Sequence, residues 1–267
     1  MWRTFNSTLA VIQRNWRIDK KYVETFTWRL FWPVVNVSIM GFLALFVGQA
    51  MSAVISYNYI DYIIVGTMVS LLINSVFSET AHSLRREQWE ETLEGVYLTP
   101  RGRNAILIGN LLYGVLFTLI SVFALMLAGV FIFGVAIHGR LWDFALALFL
   151  TIFSIAGFGL IVSALTLKWK QSTTISFAIM DVLILVSGIY YPVTILPKII
   201  QFISIFSPLT YALDITRKVV LDGRSLIQLG WQLLPLIVLA TALIIVGMFI
   251  YVSMEQQVLR TVGLKQK

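Results

Sequence analysis

The sequence predicts an all-α membrane protein in which six transmembrane helices form a single domain over residues 1–267. Six long apolar stretches lie between Leu30 and Met254, and Asp181 is the only ionisable side chain well inside any of them. Each stretch can supply the ~20 apolar residues that a helix needs to cross the hydrocarbon core. The 58% hydrophobic content exceeds what a soluble chain of this length needs and leaves no room for a separate soluble domain.

The basic residues set the predicted orientation. Most of the 20 Lys and Arg residues fall in the amino-terminal segment, in the second and fourth connections between spans, and in the carboxy-terminal tail. Basic connections tend to stay on the cytoplasmic side, so we expect both ends of this multi-pass protein in the cytoplasm. The net charge of +7 then reflects topology and attraction to anionic membrane lipid, and nucleic acid is not an expected partner.

The first element is an amphipathic helix over residues 2–22, within an interfacial region 1–29. Apolar residues recur there at spacings of three and four, between polar and basic side chains: Trp2, Phe5, Leu9, Ile12 and Trp16. This pattern is typical of a helix that lies in the membrane interface. A disordered basic tail is the alternative.

The six spans are expected at residues 30–50, 60–80, 104–130, 143–167, 172–191 and 231–254. The third apolar run continues from Asn104 to Gly139, which is about 54 Å as a straight helix. It must overshoot the bilayer, kink near Gly129 or Gly134, or turn back. The sequence leaves these options open.

The cytoplasmic region 81–103 after the second span has the pattern of a two-faced helix. One face carries an apolar stripe, formed by Trp89, Leu93, Val96 and Tyr97. Carboxylates crowd the remaining face, from Glu87, Glu90, Glu91 and Glu94. An acidic patch on a membrane side that favours basic residues points to contact with a protein. A solvated helix with local i,i+4 ion pairs fits the periodicity equally well.

The extracytoplasmic region 192–230 contains an apolar stretch, Ile199–Phe206, that is too short to cross. Prolines, which favour the starts and breaks of short helices, bracket it. We therefore expect a re-entrant hairpin before the last span, with Asp214–Arg217 returning the chain to water. The residues expected to shape this outer gate are Pro192, Pro197, Pro208 and Tyr211.

Asp181 is a candidate for the translocation path, because a carboxylate at mid-span costs about 2.5–3.5 kcal/mol to insert and must face protein or water, or be protonated. Thr174, Ala178 and Gly188 share its helical face and complete a small, polar stripe. A buried carboxyl that is hydrogen-bonded only for packing is the alternative.

A second polar stripe lies on the second span, at Gly66, Ser70, Asn74 and Ser78. It drifts by about 40° per step around the helix, so helix packing is the favoured use of the stripe as a whole. Asn74 is nevertheless a candidate for the translocation path, together with Thr174, Asp181 and Gly188. His82 and His138 lie on opposite sides of the membrane, and the chain has no Cys, so we expect neither a metal site nor catalytic residues.

Three stretches carry a family resemblance. They are Arg86-Glu87 through Glu91-Thr-Leu-Glu94 with Leu98-Thr-Pro100, then Ser187-Gly-Ile-Tyr-Tyr-Pro192, and last Pro208-Leu-Thr-Tyr211 with Arg217. In this order they resemble the membrane subunit of type 2 ATP-binding-cassette (ABC) exporters, closest to those for daunorubicin-class antibiotics and nodulation lipo-oligosaccharides. Polysaccharide exporters are more distantly similar. Glu91 departs from the pattern, since the family often has Gly there.

The resemblance implies a permease that pairs with a second permease, expected to be another copy of itself, and with a dimer of ABC ATPase subunits. The helix around Glu87 to Leu98 would touch the ATPase. This chain has no Gly-x-x-x-x-Gly-Lys-Ser/Thr loop, so ATP and Mg²⁺ would be bound by the partner and no cofactor by this chain.

The expected function is therefore ATP-driven export across the inner membrane, without enzymatic activity in this subunit. The substrate would be amphipathic or lipid-linked, such as a drug, a glycolipid, a lipo-oligosaccharide or a polysaccharide. The alternative is a channel or a secondary transporter that is not coupled to an ATPase.

Overall fold

The computed structural model describes residues 2–21, 23–51, 57–89, 102–168 and 172–265. Within these ranges the regular structure is helical, which confirms the predicted all-α class. The helices are α1 (Trp2–Lys21), α2 (Val23–Met51), α3 (Tyr59–Trp89), α4 (Gly102–Phe133), α5 (Leu141–Lys168), α6 (Ser172–Ser187), α7 (Lys198–Ile205), α8 (Pro208–Val220) and α9 (Gly230–Lys265), with a 3-10 turn at Val193–Ile195.

In the described part of the chain, five helices are long and apolar enough to cross a membrane. Their crossing segments are Phe31–Gly48 of α2, Tyr59–Ser78 of α3, Leu112–Phe133 of α4, Leu141–Thr166 of α5 and Gly230–Met254 of α9. They match the first four predicted spans and the sixth. The fifth predicted span, 172–191, differs: α6 ends at Ser187 and is about 24 Å long, less than the ~30 Å core.

The long third apolar run forms one helix that overshoots the core. α4 has 32 residues, which is about 48 Å. Gly134 follows with a φ of 68°, a left-handed conformation that favours glycine and ends the helix. The chain then continues without regular structure to α5, and His138 N donates a hydrogen bond to Val220 O (3.0 Å) at the end of α8.

α3 is the central helix. Of its Tyr59–Ser78 segment 72% is buried, against 17% of the Gly230–Met254 segment of α9. It contacts α2, α4, α5, α6 and α8, and its buried side chains include Ile64, Met68 and Leu72. The side chains of α3 are therefore held in place by neighbours on most sides.

α1 is helical, as predicted for residues 2–22, and it packs against the amino-terminal half of α4. Val11 lies so close to Gly109 that a Cβ added there would be 2.7 Å from Val11 Cβ. Tyr113 of α4 donates a hydrogen bond to the carboxylate of Asp19 (2.6 Å). These contacts attach α1 to a spanning helix, while its place in the membrane interface stays a prediction.

α5 and α9 approach each other through glycines. A Cβ added to Gly157 would lie 2.8 Å from the backbone carbon of Leu243, and one added to Gly247 would lie 2.7 Å from Gly157 O. Small residues allow such close backbone contact between helices in lipid, where van der Waals packing is a main attraction between helices.

We expect Gly157→Ala to lower the melting temperature of the protein in detergent, since overpacking of this kind costs about 1–3 kcal/mol. Gly48→Ala is the matched control, because its Cβ would meet nothing nearer than Tyr59 Cβ at 3.9 Å and Ala favours the helix by ~1 kcal/mol. Thermal unfolding of both purified variants measures the difference. A Gly157→Ala protein as stable as the control would contradict this packing.

Candidate functional site

The segment between α6 and α9 contains the breaks that the prolines predict. Pro192 precedes the 3-10 turn, Pro197 precedes α7, and Pro208 is the first residue of α8. α7 and α8 are bent by 83° relative to each other, a geometry that fits a broken span or a re-entrant pair. Tyr211 OH donates to Ile205 O (3.0 Å) across this bend. Its role as an outer gate stays a prediction.

Arg217 is buried, with 7% of its surface exposed, so the expectation that Asp214–Arg217 returns to water is wrong for this residue. Its Nη2 donates hydrogen bonds to Gly188 O (3.1 Å) and Ile189 O (2.8 Å). These carbonyls follow directly on the end of α6. Unpaired carbonyls at the end of a helix carry partial negative charge, which favours a cation there.

The aromatic ring of Tyr62 covers the other side of the guanidinium. Arg217 Cζ lies 3.5 Å from the centre of this ring, a cation–π contact that gains strength when water is excluded. The Tyr62 hydroxyl donates a hydrogen bond to Gly188 O (3.0 Å). The side chains of Arg217 and Tyr62, together with the backbone of residues 188 and 189, are called the arginine clamp below.

Glycine at two positions permits the arginine clamp. Gly188 has a φ of 73°, which few other residues adopt without strain. Gly66 of α3 faces the same loop, and a Cβ there would lie 2.1 Å from Ile189 O. The clamp therefore joins α3, the end of α6 and α8 at a point where the backbone of α3 and the loop almost touch.

A tyrosine before α3 adds a further link on the same side of the molecule. Tyr57 OH donates a hydrogen bond to the carboxylate of Asp222 (3.1 Å), just after α8. Partial burial, followed by the negative charge of Asp222 and this hydrogen bond, raises the pKa of Tyr57 to about 12. The phenol is therefore protonated and available as a donor throughout the physiological pH range.

The four residues predicted for the translocation path lie in different places. Asp181 and Thr174 are exposed on α6, so none of the residues that the structure describes encloses the carboxylate of Asp181. Gly188 lies in the loop beyond α6 and belongs to the arginine clamp, because the helix ends before it. Asn74 is exposed in a cavity whose lining residues come from α2, α3 and α4.

The predicted stripe on α3 divides into two parts. Gly66 and Ser70 serve packing, and the buried Ser70 hydroxyl donates to Thr67 O (2.9 Å). Asn74 and Ser78 line the cavity between α2, α3 and α4. The preference for packing thus fits only the first half of the stripe.

The predicted ATPase-coupling residues lie almost entirely outside the described residues. Glu87 and Trp89 belong to the last turns of α3, whose backbone is helical there. The rest of the set falls in a range that is not described: Glu90, Glu91, Leu93, Glu94, Val96 and Tyr97. The coupling role of the whole set stays a prediction.

Reasoning from the sequence missed the arginine clamp, although one signal for it was present. In α8, Leu209, Leu213 and Val220 are buried, and Arg217 follows Leu213 by four residues, so it falls on their side of the helix. A basic residue on the apolar face of an amphipathic helix indicates a buried partner. The two carbonyls that accept its hydrogen bonds carry no sequence signal of their own.

Comparison with known proteins gives a consistent result. Residues 6–221 match the family model described as ABC-2 type transporter. The chain is 26% identical over 183 residues to a protein of Escherichia coli K12 named probable multidrug ABC transporter permease YbhR, which covers 67% of this chain and 50% of that protein. It is 26% identical over 232 residues to Nodulation protein J of Sinorhizobium fredii, covering 83% of this chain and 87% of that protein. The chain thus spans about half the length of the Escherichia coli relative.

We expect Arg217→Met to destabilise the protein by roughly 3 kcal/mol, since each hydrogen bond from a charged donor contributes about 1.5–3 kcal/mol. Arg217→Lys should not restore stability, because an ammonium cannot stack flat on Tyr62 while reaching both carbonyls. Thermal unfolding in detergent measures both effects.

Arg224→Met is the matched control for this prediction. Arg224 is 53% exposed and pairs with Asp222 at 3.4 Å, and such surface ion pairs contribute little. If Arg217→Met unfolded at the same temperature as the Arg224→Met control, the arginine clamp would not contribute to the stability of the protein.

Proposed function

The chain belongs to the ABC-2 type transporter family, and from this membership we propose that it is the membrane-spanning permease subunit of an ATP-driven exporter in the inner membrane. The match over residues 6–221 is the observation that carries the proposal. The apolar helices α2, α3, α4, α5 and α9 support it, since they supply the spanning segments that such a subunit needs. The subunit performs transport and has no enzymatic role of its own.

The ATPase partner is proposed to meet this chain at the cytoplasmic region 81–103. The chain itself has no phosphate-cradling Gly-x-x-x-x-Gly-Lys-Ser/Thr loop. ATP and Mg²⁺ therefore bind to the partner, and the energy of hydrolysis enters the permease mechanically. The apolar stripe with Trp89 and Leu93 inserts in a groove of the ATPase, while the carboxylates around it meet basic residues at the rim.

The proposed substrate class is an amphipathic or lipid-linked molecule. Support comes from the relatives, one named as a probable multidrug permease and the other as a nodulation protein. The positive-inside distribution of Lys and Arg supports cytoplasmic placement of both ends and of region 81–103. The bent pair α7 and α8 then lies on the outer side, where it forms a re-entrant gate.

A second permease copy is proposed to cover the exposed face of α6. Asp181 lies near the middle of the apolar segment Thr174–Ser187 and is exposed on the single chain. Facing lipid would cost its carboxylate about 2.5–3.5 kcal/mol. A second copy of the chain removes this penalty if the two α6 helices enclose a polar path between them, which places Asp181 and Thr174 along the route of the substrate.

The coupling proposal predicts that Leu93→Asp abolishes ATP-driven export, because a charge in the apolar stripe cannot enter a dry groove. Export assayed in proteoliposomes and co-purification of the ATPase measure the effect. Gln88→Asp is the matched control, since it adds the same charge away from the stripe and should leave export intact. Normal assembly and export by Leu93→Asp would show that the coupling surface lies elsewhere.

The proposed dimer predicts that Asp181→Leu lowers the fraction of permease dimer and reduces export, because it removes the polar group that the second copy shelters. Val182→Leu, at a neighbouring position with 59% exposure, is the control and should change neither. Cross-linking in nanodiscs measures the dimer fraction. A more stable Asp181→Leu protein with an unchanged dimer fraction would mean that Asp181 faces lipid.

A further inference from the structure

A cavity of about 360 Å³ lies between α2, α3 and α4. This volume is within the range of small-molecule sites, roughly 300–1,000 Å³. Two tryptophans of α2, Trp28 and Trp32, form one wall, and their ring centres are 5.5 Å apart. Asn74, Ser75 and Ser78 of α3 form another wall. The cavity belongs to one protomer and is separate from the exposed face of α6.

Some polar groups in this cavity keep hydrogen-bonding capacity that the fold does not satisfy, which is unusual for helices in lipid. Ser75 Oγ is buried and has no hydrogen-bond partner among the described residues. Asn74 is exposed into the cavity, and an amide can both donate and accept. Thr118 and Ser121 of α4 donate to their own helix, at 2.8 and 3.3 Å, and keep lone pairs that can accept from a ligand.

The chemistry of the lining selects a class of ligand. The lining residues that the structure describes are uncharged: hydroxyls, one amide, indoles and apolar side chains. Among these described lining residues a phosphate or carboxylate would find no cation, whereas a hydroxylated neutral group would find both donors and acceptors. The faces of Trp28 and Trp32 suit the C–H faces of a sugar ring, which carry partial positive charge against the negative ring face.

The depth of the cavity indicates how such a ligand would arrive. Trp28 lies just before the apolar segment Phe31–Gly48 and Trp32 lies at its start, while Ser78 is the last residue of Tyr59–Ser78. The cavity is therefore at one membrane boundary, on the side that the proposed function makes cytoplasmic. Trp28 and Trp32 are 58% and 45% exposed on the single chain. Where this open wall faces the bilayer, an acyl tail attached to the ligand can remain in the lipid.

We propose that this cavity binds the neutral glycosyl head of a lipid from the cytoplasmic leaflet and is the site where an exported molecule is first held. The proposal rests on the proposed function for its direction of transport. It assigns substrate recognition to Asn74, Ser75 and Ser78, and aromatic contact to Trp28 and Trp32, within each protomer.

The test uses the full permease alone, in phosphatidylcholine nanodiscs that contain equal small amounts of monoglucosyl diacylglycerol, diacylglycerol and phosphatidylglycerol. Native mass spectrometry measures which lipid stays bound. We expect the glucosyl lipid to be retained about tenfold more than diacylglycerol. Equal retention of these two lipids, or preference for the anionic phosphatidylglycerol, would overturn the proposal.

Variants locate the binding. Asn74→Leu combined with Ser78→Ala should abolish the preference for the glucosyl lipid. Trp28→Leu, at a position that is 58% exposed, should weaken this preference independently. Ser70→Ala is the control, because its hydroxyl bonds to Thr67 O and does not line the cavity. Full preference in both cavity variants would place the binding elsewhere.

Two further arms separate the possible explanations. Methyl glucoside has the head but no tail, so it should displace the glucosyl lipid poorly, and equal displacement would overturn a lipid-borne ligand. The nanodiscs contain no ATPase, so the binding result does not depend on transport. Absence of ATP-driven export by the complete complex would refute the proposed function and leave the binding result standing.

Discussion

The guanidinium of Arg217 holds the structure together where its helical backbone is interrupted. In hydrocarbon, a carbonyl without a partner costs several kcal/mol, and an irregular segment is tolerated only where protein satisfies it. The chain leaves helical geometry at Gly188, and the carbonyls of residues 188 and 189 point to Arg217. Because Tyr62 shares this site, the arginine clamp links α3, the end of α6 and α8.

The central position of α3 follows from the same constraint. Its face towards the loop carries Gly66, which lets the loop approach, and Tyr62, which covers the cation. Below this point the helix is enclosed by core side chains, and further along it exposes Asn74 to a cavity. One helix thus combines close packing, charge stabilisation and a polar surface. Within about two turns along α3, polar residues that serve helix packing are followed by polar residues that face the cavity.

The elements that follow from local pattern could be predicted from the sequence, and those that depend on tertiary contact could not. Long apolar runs specify α2, α3, α4, α5 and α9, and Pro197 and Pro208 specify the breaks before α7 and α8.

The sequence did not predict the early end of α6, because Gly188 is equally compatible with a small residue inside a helix. The burial of Arg217 was missed because positive charge is ordinarily a sign of water, and the cavity around Asn74 needs three helices that are distant in sequence. The exposure of Asp181 shows a further limit, since a sequence pattern indicates an inward face without saying which chain lies there.

Because α4 is long, a small change in its tilt displaces its far end by several ångströms. At about 48 Å the helix is longer than the ~30 Å hydrocarbon core is thick, and a continuous helix moves as a rigid rod. A tilt of about 5° about one end would displace the other by about 4 Å. Its amino-terminal half is attached to α1 through Val11 and Asp19, and its far end is followed by a link that bonds to the end of α8. A displacement of α1 would therefore change the tilt of α4 and move the opposite end of this helix, next to the end of α8.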